Sequence, residues 1–242
     1  MSVNYNKLLK HKDIWKRKAI LKEIYGDWYK LILENIIEGK IVEIGSGPGN
    51  FSNYHPKAIS SDIIYCPWLN LVFDATKMPF RNKCIENFVM VDVLHHLNNI
   101  FQFFNEIVRT LKNKGRLLLL EPYISPFSYP IYKYIHREPV ILNESILLDH
   151  DSKYKFISVN QAILKIIFWK EAKKFRETYP QLRVIKKSLM GLFLYPLSGG
   201  FEYPTLIPSW SVGIAKFIER LLKPFAKLLA FRSLVVIEKN SF

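Results

Sequence analysis

Apolar residues recur along this chain in two spacings, and the change from one to the other divides it into parts. Between Tyr5 and Ile37 they fall three and four apart, at Leu8, Leu9, Ile14, Trp15, Ile20, Leu21, Ile24, Trp28, Leu31, Ile32 and Ile36, which predicts one or two helices. A break is expected near Gly26, and Gly39 should act as the C-terminal cap. The spacing then shortens. Ile41, Val42 and Ile44 supply the β-branched residues of a buried strand that runs into the glycine loop Gly45-Ser-Gly-Pro-Gly49. After a short helix at most between Phe51 and His55, strands are expected over Lys57–Asp62 and from Leu69 to Phe73. The stretch Ile63 to Leu69 between them is too short for a crossover helix. Another strand begins at Asn87 and ends near Asp92 and Val93, with a helix-like continuation to Leu97. Ile100 to Leu111 reads as an amphipathic helix, Lys112 to Gly115 as a turn, and Arg116 to Leu120 as a buried strand ending at Glu121-Pro-Tyr123. Strand, loop, helix and strand repeat with acids at the strand ends, so an α/β fold with a Rossmann-like, mostly parallel sheet is expected.

The second half is patterned differently. Pro122 to Pro139 is rich in proline and aromatic residues and suits a cover over a substrate better than a scaffold. Asn160 to Tyr179 reads as one strong helix, and Leu182 to Met190 and Leu234 to Glu238 as two further strands. From Val212 to Phe231 an apolar face, including Ile214, Phe217, Ile218, Leu221, Leu222, Phe225, Leu228 and Leu229, alternates with Lys216, Arg220, Lys223 and Lys227, with a kink at Pro224. Two outcomes are open for that face: packing on the sheet, or contact with an anionic membrane surface.

Composition narrows the setting. The chain has 242 residues, enough for one large α/β domain. Cys66 and Cys84 form neither a metal-ligand pair nor a disulfide framework, so a reducing cytoplasm is expected. Lysines precede any apolar run at the N-terminus, which does not read as a signal peptide. The longest uncharged runs, Ser188–Phe201 and Tyr203–Ala215, fall short of a membrane span. The net charge of +14 is uneven. Residues 1–40 carry nine Lys/Arg against five Asp/Glu, residues 41–150 ten against ten, and residues 151–242 sixteen against six. The excess on the last part points to an anionic partner there, or to a plain solvated surface.

The glycine loop carries the chemistry. A dinucleotide site would read G-x-G-x-x-G, but the spacing here is G-x-G-x-G and Asn50 holds the third glycine position. Glu43, two residues before Gly45, brings negative charge toward the ligand, which suits an ammonium group better than a pyrophosphate. Asp62 follows Gly45 by 17 residues, where a doubly wound fold places the carboxylate that binds ribose hydroxyls.

The run Val42-Glu-Ile-Gly-Ser-Gly-Pro-Gly49 resembles the first motif of class I S-adenosylmethionine-dependent methyltransferases, and the chain as a whole resembles their type 11-like bacterial branch. The resemblance implies one methyltransferase domain over residues 1–242: an N-terminal helical cap (1–40), a cofactor half (41–121) and a substrate side (122–242). It implies seven strands, the last antiparallel. It also implies S-adenosyl-L-methionine as cofactor, held by Glu43, Gly45, Ser46, Gly47, Gly49 and Asn50 around its amino-acid part and by Asp62 and Ile63 at the ribose. Asp74 and Ala75 would face the adenine, with Asp92 and Val93 at the next strand end.

Val93-Leu-His-His-Leu97 resembles the family again, and adjacent histidines cannot share a helix face, so one should pack and one should turn to the cleft. His96 or His136 could serve as a base for a hydroxyl acceptor, with Tyr123 orienting it, although the commoner role for a histidine at position 96 is structural. No metal is expected. The acceptor implied is a small or amphiphilic molecule, such as a sugar or a lipid-linked saccharide, because the layout from Glu121 through Phe201 is similar to bacterial methyltransferases of surface polysaccharide synthesis. No Asn-Pro-Pro-Tyr type motif follows the fourth strand, which argues against nucleic acid. The alternatives are an NAD-dependent oxidoreductase, and a non-catalytic membrane- or RNA-binding protein on the same scaffold.

Overall fold

A computed structural model describes residues 3–136, 138–143 and 159–241; residues 144–158, part of the expected substrate side, lie outside them. Seven strands form one sheet: β1 (Ile41–Ile44), β2 (Ile59–Asp62), β3 (Leu71–Val72), β4 (Ile85–Val91), β5 (Leu111–Pro122), β6 (Leu182–Met190) and β7 (Arg232–Lys239). Their order is β3-β2-β1-β4-β5-β7-β6. Pairings from β3 through β5 are parallel, and β7 runs antiparallel to both of its neighbours. This is the sheet expected from the sequence.

Alternation along the central strands builds a core on each face. Leu117 and Leu119 of β5 join Phe88, Met90, Val235 and Ile237 beneath helix α3 (Ile100–Thr110), packing on Phe103, Phe104 and Ile107. Leu118 and Leu120 turn to the opposite face, with Val89, Leu234 and Val236, against Leu21, Ile24, Trp28 and Ile32 of the N-terminal helices. Period-two alternation in fully buried strands therefore feeds a helix-sheet-helix sandwich.

Four expectations are corrected. The N-terminal helices α1 (Val3–Arg17) and α2 (Ala19–Leu33) meet at Lys18, which is extended, and Gly26 lies inside α2. An interior glycine costs a helix only about 1 kcal/mol, and the Tyr54 ring closes over the space that a Cβ at Gly26 would need. The corner is fixed by Lys18 Nζ, which donates to the carbonyls of Ser198, Gly200 and Tyr203 at 2.8, 2.7 and 2.7 Å. Gly39 is not the helix cap, since α2 ends at Glu34; it takes φ +132 in the turn into β1, against the Glu86 side chain. The expected turn at Lys112–Gly115 is an irregularity within a longer β5, where the register with β4 slips between Ile85 and Asn87.

The expected helix Asn160–Tyr179 is broken into α5 (Ile163–Lys165), a π-turn over Ile166–Lys170 and α6 (Ala172–Thr178). The Asn160 side chain is drawn into bonds with both backbone groups of Ile141 and delays the start; the apolar spacing continues across the π-turn and hides it. Helix α4 (Ser128–Tyr134) lies in the proline- and aromatic-rich stretch, and α7 (Leu194–Ser198) follows β6. The basic segment folds as α8 (Val212–Leu221), a short turn at Lys223–Phe225 and α9 (Ala226–Leu229), with much of its apolar face turned outward. Among the described residues no helix is long and apolar enough to cross a membrane.

Candidate active site

The carboxyl ends of β1, β2 and β4 open into one cavity of about 1150 Å³. That exceeds the range of ~300–1,000 Å³ for a single small-molecule pocket and leaves room for two ligands side by side.

One end of the cavity is built by the loop after β1. Gly45 has φ +71, and a Cβ there would sit 2.4 Å from the Val93 side chain, so glycine is required both by conformation and by space. Ser46 ties the loop to β2: its N–H donates to Ser61 O at 2.8 Å, and its Oγ accepts from Ser61 N at 3.0 Å. Gly47 N–H donates to Asp62 Oδ2 at 2.9 Å, while Asp62 Oδ1 accepts from Ile64 N at 3.0 Å. Asp62 thus braces the loop as well as facing the cavity, where Ile63 forms an exposed rim. Asn50 is buried and lines the wall. Gly49 does not line the cavity; the Trp68 ring covers it, and its N–H closes the turn onto Ser46 O at 2.8 Å. Asp74 caps its own turn by accepting from Thr76 N and Oγ1, each at 2.8 Å, and lies with Ala75 on the cavity wall.

Glu43 is buried beneath this loop and lines the cavity, and its Oε2 has no hydrogen-bond partner. Burial pushes its carboxyl up to about 7. A buried, unpaired acceptor calls for a cationic or donor group from a ligand. The ammonium of S-adenosylmethionine supplies one, so these residues fit that cofactor.

The other end is acidic and imidazole-rich. Asp92 sits at φ +58 past β4, where its carboxylate pairs with Arg232 of β7 and accepts from Tyr25 OH of α2 at 3.4 Å. Its carboxylate therefore engages the far wall of the cavity, although the sequence grouped it with the cofactor residues. Arg232 is buried against the Tyr195 and Trp28 rings, 4.3 and 5.4 Å from their centres. Glu121 Oε1 accepts from the N–H groups of Val93 and Leu94 at 2.7 Å each, and Oε2 meets His95 Nδ1 at 2.5 Å. Burial alone would lower His95, but the charge and hydrogen bond of Glu121 outweigh it and push the imidazole up to about 10. His95 is thus a buried imidazolium, its second nitrogen 3.4 Å from Glu138 Oε2.

His96, beside it, is the histidine turned toward the cavity, with Nε2 3.8 Å from Glu138 Oε1. Burial and the neighbouring His95 charge lower its pKa, which keeps it neutral near pH 7. His136 is also lowered, chiefly by burial. Its Nδ1 accepts from Glu138 N at 3.3 Å, which places the neutral ring's proton on Nε2 and makes His136 a donor where the sequence allowed a base. Glu138, despite its burial, is held down to about 2, chiefly by the hydrogen bond and charge of His95. His95, His96 and Glu138 lie close enough together to hold a metal ion, as do Asp92, His95 and Glu121, but His95 would first have to lose a proton that Glu121 stabilises.

Tyr123 is corrected. It does not line the cavity but packs on Trp169 and lies with Leu192, Ala226 and Ala230 in an apolar cluster, so it cannot orient an acceptor. The residues that complete the cavity were not legible beforehand: Tyr25 and Tyr29 of α2, His11 of α1, Tyr132 of α4, Glu138, Tyr195, Phe201, Tyr203 and Arg232. His11, Tyr25 and Tyr29 sit in helices whose spacing reads as scaffold, while Tyr132 and Glu138 lie in the stretch read as a cover, where the pattern singles out no residue. Arg232 alone carried a signal, as a charge at the mouth of an otherwise apolar strand.

Residues 42–119 match the family model described as the methyltransferase domain. That stretch, about a third of the chain, is a methyltransferase domain by this match. Among solved structures, a SAM-dependent methyltransferase from Archaeoglobus fulgidus superposes with a TM-score of 0.54 at 15% identity, over 90% of this chain and 94% of that one. Geranyl diphosphate C-methyltransferase from Streptomyces coelicolor A3(2), in complex with Mg2+, geranyl diphosphate and S-adenosyl-L-homocysteine, gives 0.50 at 10%, over 91% and 81%. The [4+2]-cyclase SpnF also gives 0.50, at 11%, over 89% and 81%. No curated protein matches the sequence. These likenesses establish the fold, and the same fold hosts a cyclase, so what this methyltransferase domain modifies has to be argued from its own cavity.

Proposed function

We propose that this domain transfers a methyl group from S-adenosyl-L-methionine directly, in line, to a hydroxyl of a small or amphiphilic acceptor of the sugar or lipid-linked saccharide class. The observation that carries this is the continuity of the cavity from the Gly45–Asn50 loop, Asp62 and Asp74 to a wall that combines aromatic rings with His96, His136, Glu138 and Arg232. When bound, the cofactor supplies a methyl group already activated on a cationic sulfur. The protein then has to hold both partners and place the acceptor oxygen.

Glu43 and the loop would take the amino-acid part, Asp62 the ribose, and Asp74 with Ala75 the adenine. On the far side, Tyr132, Tyr195, Phe201 and Tyr203 offer flat apolar faces beside hydrogen-bonding groups, a combination suited to a sugar ring. His136 Nε2–H would donate to the acceptor. Neutral His96 would take the proton released by the hydroxyl, and Glu138 would stabilise the imidazolium that results. His95 and Glu121 hold this arrangement from behind: Glu121 fixes Val93 and Leu94, and burial together with the His95 charge lowers the pKa of His96.

The test is incubation with methyl-labelled S-adenosylmethionine and cell extract separated into water-soluble, lipid, protein and nucleic-acid pools. Label in the soluble sugar or lipid pool, lost on His96→Ala, is the expected result. Label confined to protein or RNA would overturn the acceptor reading.

A further inference from the structure

Helix α8 is built inside out. Its inward side carries Val212 and Ala215 together with two charged residues. Glu219 accepts from Phe193 N and Leu194 N at 2.8 Å each, and Lys216 bridges Glu23 and Asp27 of α2 at 3.1 and 2.8 Å. The outward side is apolar. Phe217 is 57% exposed and Leu221 61%, with Ile214 and Ile218 beside them. The same surface continues onto Phe225 and Leu228 at its far end and onto Trp210, 77% exposed, at its near end. Scattered exposed apolar residues are ordinary, but a contiguous face of this size needs a covering.

Charge identifies what covers it. Arg220, Lys223 and Lys227 are exposed and pair with no acid among the described residues. They flank the apolar face on a part of the chain that carries sixteen Lys/Arg against six Asp/Glu. A second copy of this face would bring those cations together against one another, which opposes self-association. An anionic lipid surface satisfies both features at once: apolar side chains enter the acyl boundary, and the cations meet the headgroups. A tryptophan at the edge of such a face is suited to the headgroup level. We infer that α8 and α9 dock this protein onto an anionic membrane surface, lying in the plane of the interface.

The placement also fits the cavity. Tyr203 lines it and donates from its hydroxyl to Ile135 O at 3.0 Å, and Leu206, three residues on, is already exposed on the approach to Trp210. The docking itself does not depend on the acceptor: it would stand for a free sugar, and it is read without any methyl transfer.

The experiment is flotation of the full chain with vesicles of phosphatidylcholine alone and of phosphatidylcholine with phosphatidylglycerol, at low and high salt. The expected result is flotation with the anionic vesicles only, weakened by salt. Two sets of substitutions, Phe217→Ser with Leu221→Ser and Arg220→Glu with Lys223→Glu and Lys227→Glu, should each weaken it by at least about tenfold. Calorimetric binding of S-adenosylhomocysteine should stay unchanged in both, which shows that they fold. Absence of flotation with anionic vesicles, or flotation indifferent to both sets, would overturn the inference. So would a dimer in vesicle-free solution that Phe217→Ser with Leu221→Ser returns to a monomer, because the face would then belong to a second copy.

Discussion

The strand ends from β1 to β4 and the remaining cavity wall of this chain bury their polar groups in opposite ways. Between β1 and β5 each strand ends in a short local motif, and Glu43, Asp62, Asp74 and Asp92 reach the cavity from consecutive strand ends. The rest of the cavity wall is held by pairs of residues far apart in the chain: Tyr25 with Asp92, Arg232 with Tyr195, His95 with Glu138. The difference teaches that one part of the cavity is shaped locally, through strand-end motifs. The other part is shaped through tertiary packing.

The largest effect that can break this comparison lies at its seam. Glu121→Ala leaves the His95 imidazolium and the Val93 and Leu94 N–H groups buried without their partner, and should cost about 3–5 kcal/mol in urea unfolding. The sign of its pH dependence follows from His95, whose pKa is raised on folding. That contribution is fully present below the ordinary histidine value and is lost as pH rises through about 10, so the gap between wild type and variant should narrow there. A constant gap would mean that His95 is not held as a cation.

Next in size, His96→Ala should lower kcat by about 100-fold, within the range for a positioned base, while leaving the cofactor Kd within about twofold. Equal losses in both would show that the two halves are one site energetically. Asp62→Ala should do the reverse, weakening S-adenosylmethionine by about tenfold in calorimetry, since it frees Gly47 N–H and removes the acceptor proposed for the ribose. Smaller still is the pH dependence of cofactor affinity. With Glu43 at about 7, affinity should rise several-fold from about pH 6 to about pH 8 as the carboxylate forms to meet the ammonium, and Glu43→Gln should flatten the profile. The smallest effect is expected on the outer face, where Phe217→Ser with Leu221→Ser should change stability by no more than about 0.5 kcal/mol per site. A large loss would mean that the face is covered in the folded protein.

The sheet was legible because buried strands announce themselves by alternation and by the glycines and acids that end them, as at Ile41–Gly45 and Asn87–Asp92. That Glu43, Asp62 and Asp74 meet at one cavity was legible for the same reason. Helix breaks were not: at Lys18 the corner is set by three carbonyls some 180 residues away, and the π-turn at Ile166–Lys170 keeps the helical apolar spacing. Tyr123 was misplaced because an aromatic residue at a strand end suits a cavity wall and a core equally, and Trp169 decides between them only in three dimensions. The outward face of α8 was left open by its sequence, since an amphipathic pattern states that two faces differ and not which of them is inside.

The most direct test of the central claim, that one cavity joins a nucleoside site to an acceptor site in a methyltransferase, is titration calorimetry with S-adenosylmethionine, S-adenosylhomocysteine and NAD. The account predicts that the first two bind, that Asp62→Ala weakens both, and that NAD does not bind. Binding of NAD, or absence of binding by both sulfur compounds, would contradict it.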